Sequence, residues 1–276
     1  MLKKAYLEIT NVCNLACSFC PGTTRQKRFM SEEEFRCLVK KLRGQTQYLY
    51  FHLMGEPLLH PLLSRFLTIA GEEGFRVILT TNGTLLEQKG ERLTDAPALY
   101  KINLSLQSFE ANAGGSIENY VNQCAVFASR AAAAGKICEL RLWNRGGRER
   151  LNGEILRLLE EHFPGPWERN PRSVKLSERI FLAEDDIFDW PDLHAPDRGE
   201  RCFCYGLRDQ VGVLADGTVV PCCLDHNGEL PLGNLFEQEL KDIMSTDKAR
   251  EIREGFSRKK AVEPLCRRCG FARKFT

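Results

Sequence analysis

The sequence predicts an α/β fold in which repeated strand and helix units build a parallel sheet, followed by a small cysteine-rich unit. Strand-sized and helix-sized apolar patterns alternate through the first two thirds of the 276 residues. After residue 200, cysteines gather around a hairpin signal instead. The pattern yields six units, too few for a closed barrel, which needs eight. The predicted sheet therefore does not close on itself.

The elements follow one another in regular order. The first helix has the clearest limits, because Ser31 and Glu34 form a capping box and Gly44 can end the helix. The other limits come from apolar periodicity and glycine turn signals. Predicted strands cover 5–9, 48–51, 77–79, 101–106 and 137–142, with a sixth within 174–182, and predicted helices cover 31–44, 62–74, 117–134 and a segment around 155–159.

Composition restricts the class of protein. At 43% hydrophobic residues the chain can bury a full core, yet its apolar runs are strand-sized and the N-terminus lacks the apolar segment of a signal peptide. We expect a cytoplasmic protein without a membrane partner. The 12 cysteines then indicate metal ligands or buried thiols rather than disulfides. A formal net charge of +2 gives no reason to expect a nucleic-acid partner.

Three cysteines stand directly after the first predicted strand. Cys13, Cys17 and Cys20 have the spacing C-x3-C-x2-C, which lets three thiolates hold one iron-sulfur cluster and leaves one iron without a protein ligand. An open coordination position is typical of catalytic rather than structural metal sites. Ligands at the C-terminal end of a strand also suggest a barrel-type active site.

Four further cysteines can form a second, closed site. Cys204 and Cys222 flank the hairpin signal Asp216-Gly217, and a C-x2-C pair follows at Cys266 and Cys269. Four thiolates satisfy either an iron-sulfur cluster or zinc, and the spacing alone favours neither. Two neighbouring cysteines remain, Cys202 and Cys223. We interpret both as packed thiols, although either could replace one of the four ligands.

The N-terminal pattern resembles the radical S-adenosylmethionine (SAM) superfamily. The cysteine motif contains an aromatic residue, Phe19, before its last cysteine, and Gly55-Glu56-Pro57 follows the second strand as in that family. The resemblance covers about residues 4 to 182 and implies an open six-unit (β/α) partial TIM barrel. It also implies a catalytic [4Fe-4S] cluster on the three cysteines that reductively cleaves SAM to a 5'-deoxyadenosyl radical, which abstracts a substrate hydrogen.

Further SAM contacts follow from the same resemblance. Besides Phe19, Gly55, Glu56 and Pro57, the family pattern points to Ser105 after the fourth strand. After the fifth strand the nearest polar candidates are Arg141 and Asn144, of which Asn144 is taken as the cofactor contact.

The C-terminal unit resembles the SPASM and twitch domains. The segment from Gly217 to Cys222 matches their opening, and no cysteine follows Cys269, which favours the twitch type with one auxiliary [4Fe-4S] cluster on Cys204, Cys222, Cys266 and Cys269. In such relatives this cluster assists electron transfer or binds substrate. The predicted organisation is a radical SAM barrel over 1–183, a linker over 184–200 and the auxiliary domain over 201–276.

The resemblance leaves the substrate open between a peptide and a small molecule. A reductant such as flavodoxin or ferredoxin is expected. Because the first strand begins within a few residues of Met1, a peptide substrate would require a separate peptide-recognition protein. Two alternatives remain: a non-catalytic iron-sulfur electron carrier or scaffold, and a radical SAM enzyme with a structural zinc in the C-terminal site.

Overall fold

A single sheet of eleven strands runs through the computed structural model, which describes residues 2–112, 114–171 and 173–275. Along the sheet the strand order is β11-β10-β9-β1-β2-β3-β4-β5-β8-β7-β6. The strands are β1 (Lys4–Leu7), β2 (Tyr48–Phe51), β3 (Arg76–Thr81), β4 (Leu99–Ser105), β5 (Ile137–Arg145), β6 (Glu168–Asn170), β7 (Ser173–Ser177), β8 (Ile180–Asp186), β9 (Gln210–Val213), β10 (Thr218–Val220) and β11 (Gly233–Asn234).

Six consecutive strands of this sheet are parallel. Strands β1 to β5 pair in sequence order and β8 pairs with β5 in the same direction. The linear strand order leaves β11 at one edge and β6 at the other, so the sheet stays open. The predicted α/β fold with an open six-unit partial barrel is confirmed.

The helices cover the outer face of the parallel strands. Helix α1 has the predicted capping box, in which the Ser31 side chain accepts from the Glu34 N–H. The Phe35 ring of α1 stacks on Phe66 of α2 with ring centroids 4.1 Å apart, which ties these helices together. The helices are α1 (Glu32–Leu42), α2 (Leu63–Glu72), α3 (Leu86–Lys89), α4 (Glu91–Thr94), α5 (Ser108–Asn112), α6 (Ile117–Ala133), α7 (Asn152–His162), α8 (Leu240–Met244), α9 (Asp247–Ser257) and α10 (Pro264–Arg267), with 3₁₀ helices at Pro57–Leu59 and Phe271–Phe275.

The sixth predicted strand is in fact a hairpin. Residues 174–182 fall partly in β7 and partly in β8, which pair antiparallel, and Arg179 makes the turn with φ 61°. Only β8 continues the parallel series. Strand β7 alternates apolar and polar residues and β8 begins with a run of four apolar ones, so no single pattern marked the turn between them. Strand β8 also extends to Asp186, three residues into the segment predicted as a linker.

The predicted C-terminal hairpin is present as β9 and β10. Gly217 forms its turn with φ 83°, and a Cβ atom there would lie 2.5 Å from the Phe236 ring, so glycine is required. Strand β9 also pairs in parallel with β1. The cysteine-rich unit therefore extends the barrel sheet at its β1 edge, which the sequence did not predict.

The two faces of the parallel strands differ in polarity. One face packs apolar side chains against the helices, as Leu7, Phe51 and Leu140 illustrate. Because side chains alternate along a strand, the other face is turned toward the inside of the partial barrel. We call this second set the lumen face; it comprises Lys4, Tyr6, Glu8, Tyr50, His52, Thr80, Lys101, Asn103, Ser105, Glu139, Arg141 and Trp143. Closed barrels fill this space with branched apolar residues, so a polar lumen indicates a binding space.

No helix within the described ranges is both long and apolar enough to cross a bilayer.

Candidate active site

The three N-terminal cysteines lie on an irregular loop at the C-terminal end of β1. Cys13 and Cys20 are exposed and Cys17 is half-buried. Their thiols influence one another electrostatically, and burial raises the pKa of Cys13 and Cys17. The sulfur of Cys13 accepts a hydrogen bond from the Leu15 N–H at 3.4 Å. Clustered thiols that receive N–H donors fit the ligand set of an iron-sulfur cluster.

Two asparagines that the sequence analysis did not select support this loop. Asn112 in α5 donates to the Cys17 sulfur at 3.1 Å and accepts from the Ala16 N–H at 2.9 Å. Asn82, after β3, donates to the Asn14 side chain at 3.0 Å. Outer contacts of this kind orient metal ligands and tune the metal. Asn82 was interpreted only as part of a turn, and no local signal marked Asn112.

The loop after β2 docks on the cysteine loop. Gly55 has φ 81°, and a Cβ atom there would lie 2.4 Å from the Thr10 carbonyl oxygen. The next residue, Glu56, donates its N–H to the Val12 carbonyl at 2.8 Å. The predicted SAM-binding segment and the cysteine loop are thus in direct contact, and only glycine permits this approach.

The Glu56 carboxylate is buried and already bonded to the backbone. It accepts from the Leu58 N–H at 2.9 Å and from the Asn82 N–H at 2.8 Å, and it is 2% exposed. Burial raises its pKa, while these hydrogen bonds act in the opposite direction. Pro57 is buried at the start of a 3₁₀ helix. In this structure Glu56 joins the β2 and β3 loops beside Cys13; its contact with SAM stays a prediction.

The other predicted SAM contacts differ in placement. Ser105 ends β4 on the lumen face, and its contact with SAM stays a prediction. Asn144 lies on the opposite, helix-facing side of β5 and is 3% exposed. Its amide donates to the Asn152 side chain at 2.9 Å and accepts from the same residue at 3.1 Å. This placement does not favour the predicted contact of Asn144 with SAM, whereas Arg141 of the same strand faces the lumen.

The four C-terminal cysteines come together in the second cysteine group. The charge of the Cys222 thiolate would interact with those of Cys204, Cys266 and Cys269, and burial raises the pKa of all four, that of Cys204 to about 12. Cys204 accepts from the Gly206 N–H at 3.4 Å. Four neighbouring thiols, of which Cys269 is buried and the other three are half-buried, fit a closed site.

The two extra cysteines differ from each other. Cys202 is 1% exposed and packs in the core, in line with the prediction of a packed thiol. Cys223 instead packs against a small cluster that includes Tyr6 of the lumen face. The segment that carries Cys222 therefore forms part of the lumen wall.

A buried carboxylate links the two cysteine groups. Glu8 is fully buried and accepts from Arg25 at 2.7 Å, from the Met54 N–H at 3.2 Å and from the Ala215 N–H at 3.2 Å. Arg25 also donates to the His226 carbonyl at 3.0 Å. One side chain thus holds the cysteine loop, the Gly55 loop and the β9–β10 turn together. A single glutamate in a strand gave no signal of this role.

The segment predicted as a linker is packed between both groups. Trp190 donates to the carbonyl of Phe19 at 3.0 Å, and its ring meets His226 edge-on at 5.8 Å. Its neighbour Asp189 accepts from the Gly270 N–H at 3.0 Å, next to Cys269. Phe19 therefore contributes its backbone to a contact between the two groups; its predicted role in SAM binding stays a prediction.

Within residues 2–112, 114–171 and 173–275, no three histidine, cysteine or acidic side chains lie close enough to share a single metal ion.

Comparison with known families identifies both parts of the chain. Residues 7–134 match the model of the radical SAM superfamily, and residues 202–270 match SPASM, an iron-sulfur cluster-binding domain. The second match supports an iron-sulfur cluster rather than zinc in the C-terminal unit.

Curated relatives differ in how much of the chain they cover. The chain is 25% identical to the S-adenosyl-L-methionine-dependent 2-deoxy-scyllo-inosamine dehydrogenase of Niallia circulans, over 95% of this chain and 90% of that protein. It is 32% identical to a probable GTP 3',8-cyclase of Methanococcus maripaludis over 41% of each chain, so it spans less than half of that relative.

Solved structures share the fold at low identity. BtrN in complex with AdoMet and 2-DOIA superposes with a TM-score of 0.60 at 20% identity, covering 98% of this chain and 93% of BtrN. SuiB of Streptococcus suis bound to S-adenosylmethionine superposes with a TM-score of 0.63 at 18% identity, covering 92% of this chain and 68% of SuiB. Both matches extend over the barrel and the C-terminal unit. The two family matches lead to one conclusion: this chain combines a radical SAM domain over residues 7–134 with a SPASM iron-sulfur domain over residues 202–270, and it is an enzyme that uses SAM and [4Fe-4S] clusters.

Proposed function

We propose that this enzyme is a radical dehydrogenase that oxidises a hydroxyl group of a small polar molecule. The observation that carries the proposal is the match to the 2-deoxy-scyllo-inosamine dehydrogenase, which covers nearly the whole of both proteins and therefore includes both cysteine groups. The polar lumen face supports a hydroxyl-bearing substrate, because it offers many hydrogen-bonding groups.

In this proposal Cys13, Cys17 and Cys20 hold the catalytic cluster, and Cys204, Cys222, Cys266 and Cys269 hold the auxiliary one. When bound, the first cluster would supply the electron that cleaves SAM, and the second would accept the electron that the substrate radical releases as it becomes the carbonyl product. A flavodoxin or ferredoxin provides the first electron, and we place the reaction in the cytoplasm, where thiols remain reduced.

The position of Cys223 supports the electron-accepting role of the second group. Cys223 follows Cys222 and packs against the cluster that includes Tyr6 of the lumen face, so the auxiliary cysteines adjoin the space in which a substrate would lie. A closed four-thiolate site there leaves the cluster without an open iron, which favours electron transfer over substrate binding.

The proposed conversion balances without an added oxidant. One SAM and one secondary alcohol give methionine, 5'-deoxyadenosine, the carbonyl product and one proton released to solvent. The hydrogen atom on the carbinol carbon moves to 5'-deoxyadenosine, and the electron that starts SAM cleavage is recovered at the auxiliary cluster. The chain's own residues bind and orient the alcohol and keep its reacting carbon away from water.

Anaerobically reconstituted protein tests the proposal with a panel of cyclitols, aminocyclitols and sugars that carry deuterium on the carbinol carbons. We expect 5'-deoxyadenosine and a carbonyl product in equal amounts, with deuterium transferred to 5'-deoxyadenosine. Cys37→Ala is a matched control, since Cys37 lies on α1 outside both cysteine groups. Deuterium transfer only from a peptide, without carbonyl formation, contradicts the proposal and indicates peptide modification.

A further inference from the structure

The lumen face carries more positive than negative charge. Its cations are Lys4, Lys101 and Arg141, and Glu139 has to serve two of them: it accepts from the Lys101 ammonium at 2.5 Å and from the Arg141 Nε at 2.7 Å. The other carboxylate of this face, Glu8, is already bound by Arg25 from outside the face. One positive charge at Lys4 and part of that at Arg141 are left without an acidic partner.

Lys4 contacts aromatic rings instead of an acid. Its ammonium lies 5.0 Å from the ring centroid of Tyr6 and 4.9 Å from that of Tyr50, and no carboxylate binds it among the residues that the structure describes. Desolvation is the main cause that lowers the pKa of Lys4; Cys223 and Asp209 act in the opposite direction, and the nearby charge of Arg141 acts in the same one. A half-buried ammonium in this position gains from an added anion.

Arg141 is fixed by contacts of its Nε and its guanidinium, while its two terminal nitrogens have no hydrogen-bond partner among the described residues. Its Nε binds Glu139, and its guanidinium lies 4.2 Å from the ring of Trp143. A guanidinium that is fixed from behind and stacked on a ring presents two parallel N–H donors, which is the geometry that carboxylates and phosphates accept.

The charges of Lys4 and Arg141 both act on His52 of the lumen face. Burial first, and then the charges of Arg141 and Lys4, lower the pKa of His52 to about 3. The imidazole is therefore neutral at physiological pH and adds hydrogen-bonding capacity without charge.

Next to these cations, a buried polar group lacks a partner. Asn103 is fully buried and donates to the Thr80 hydroxyl at 3.0 Å, which in turn lies 3.2 Å from His52 Nδ1. The Asn103 side-chain oxygen has no partner in the described ranges. Asn103 is paired in register with Glu139 of the adjacent strand. An unpartnered buried oxygen indicates a missing donor, such as a substrate hydroxyl.

We propose that the lumen binds a substrate with an anionic group, a carboxylate or a phosphate, at Arg141 and Lys4, and a hydroxyl at Asn103. The inference rests on the proposed function, because it specifies the alcohol that this enzyme oxidises. The anion compensates the unpaired lumen charge, and the hydroxyl donates to the Asn103 oxygen.

Calorimetric titration of the reconstituted protein with inorganic phosphate, and separately with acetate, tests the inference. SAM is present in excess so that its own carboxylate occupies its site, and reductant is omitted so that no chemistry occurs. We expect saturable binding of at least one anion with a Kd of about 1 mM. The stronger of the two anions distinguishes a phosphate-bearing from a carboxylate-bearing substrate.

The variants make the test specific. Arg141→Gln and Lys4→Gln should each weaken anion binding at least about tenfold, which corresponds to ~1.4 kcal/mol. Arg145→Gln, an exposed arginine at the end of the same strand that pairs with Asp186, should bind as the parent does. Absence of saturable binding, or equal binding by Arg141→Gln and the parent, overturns the inference. Because no turnover is measured, this failure is distinct from failure to form a carbonyl product.

Discussion

The two cysteine groups differ in how the chain surrounds them. Cys13 and Cys20 lie exposed on a loop without regular structure, whereas Cys269 is buried and burial raises the pKa of Cys222 well above its usual value. A catalytic cluster must admit SAM and a reductant, and an electron-accepting cluster needs only proximity to the substrate. The difference in exposure therefore matches the difference in proposed role.

The two groups are also held by different means. Side-chain amides from other elements, such as Asn112, position the N-terminal cysteines. Backbone turns and the short helix α10 position the C-terminal ones, and the Cys204 sulfur accepts from the Gly206 N–H at 3.4 Å. Changes in the first group should affect mainly chemistry, and changes in the second should affect chemistry and packing together.

Removal of one thiol from each group is the largest test of this comparison. We expect Cys17→Ala to abolish SAM cleavage, because the catalytic cluster loses a ligand. Cys266→Ala should retain substrate-free SAM cleavage but lose product formation. Both are measured as 5'-deoxyadenosine and carbonyl product, with Cys37→Ala as the control. If Cys266→Ala loses both activities equally, the C-terminal site is mainly structural and the comparison fails.

Glu8→Gln should break the link between the groups. It leaves the guanidinium of Arg25, whose side chain is only 14% exposed, without its carboxylate partner; the loss of one partner of a buried pair costs about 3–5 kcal/mol, and we expect the lower end of that range here. We expect that loss in the free energy of unfolding, measured by denaturant titration under anaerobic conditions. Glu161→Gln removes one partner of the exposed Arg157–Glu161 pair and should cost less than ~1 kcal/mol. Equal losses would show that the two groups are not joined through Glu8.

Gly55→Ala tests how closely the SAM loop must approach the cysteine loop. Gly55 and Gly74 have the same φ of 81°, but a Cβ atom meets the Thr10 carbonyl oxygen at 2.4 Å in the first case and nothing within 4 Å in the second. Both alanine variants carry the same backbone strain, so their difference isolates the steric clash. We expect Gly55→Ala to be less stable than Gly74→Ala by about 1–3 kcal/mol. SAM affinity should fall only in Gly55→Ala, which equilibrium dialysis would measure.

The sequence predicted what is local and missed what depends on distant partners. The cysteine spacings, the Gly55 segment and five of the parallel strands are encoded in short stretches. Glu8 and Trp190 have roles only through residues far away in the chain, with Trp190 bonded to Phe19 across 171 positions. The helix-facing position of Asn144 could have been predicted from the sequence. Side chains alternate along a strand, so Asn144 lies on the same side of β5 as Leu140 and Leu142, which face the helices.

The smallest expected effect concerns the contact between Asn112 and Cys17. Hydrogen bonds to cluster sulfurs are among the factors that set the reduction potential, and they favour the more negatively charged reduced state. Asn112→Ala removes the 3.1 Å contact to the Cys17 sulfur. We therefore expect the midpoint potential of the catalytic cluster to fall, with the auxiliary cluster unchanged. Redox titration followed by electron paramagnetic resonance measures both, with Asn119→Ala on the exposed side of α6 as the control. An unchanged midpoint would mean that side-chain amides position the loop without tuning its chemistry, and exposure would then be the main difference between the two groups.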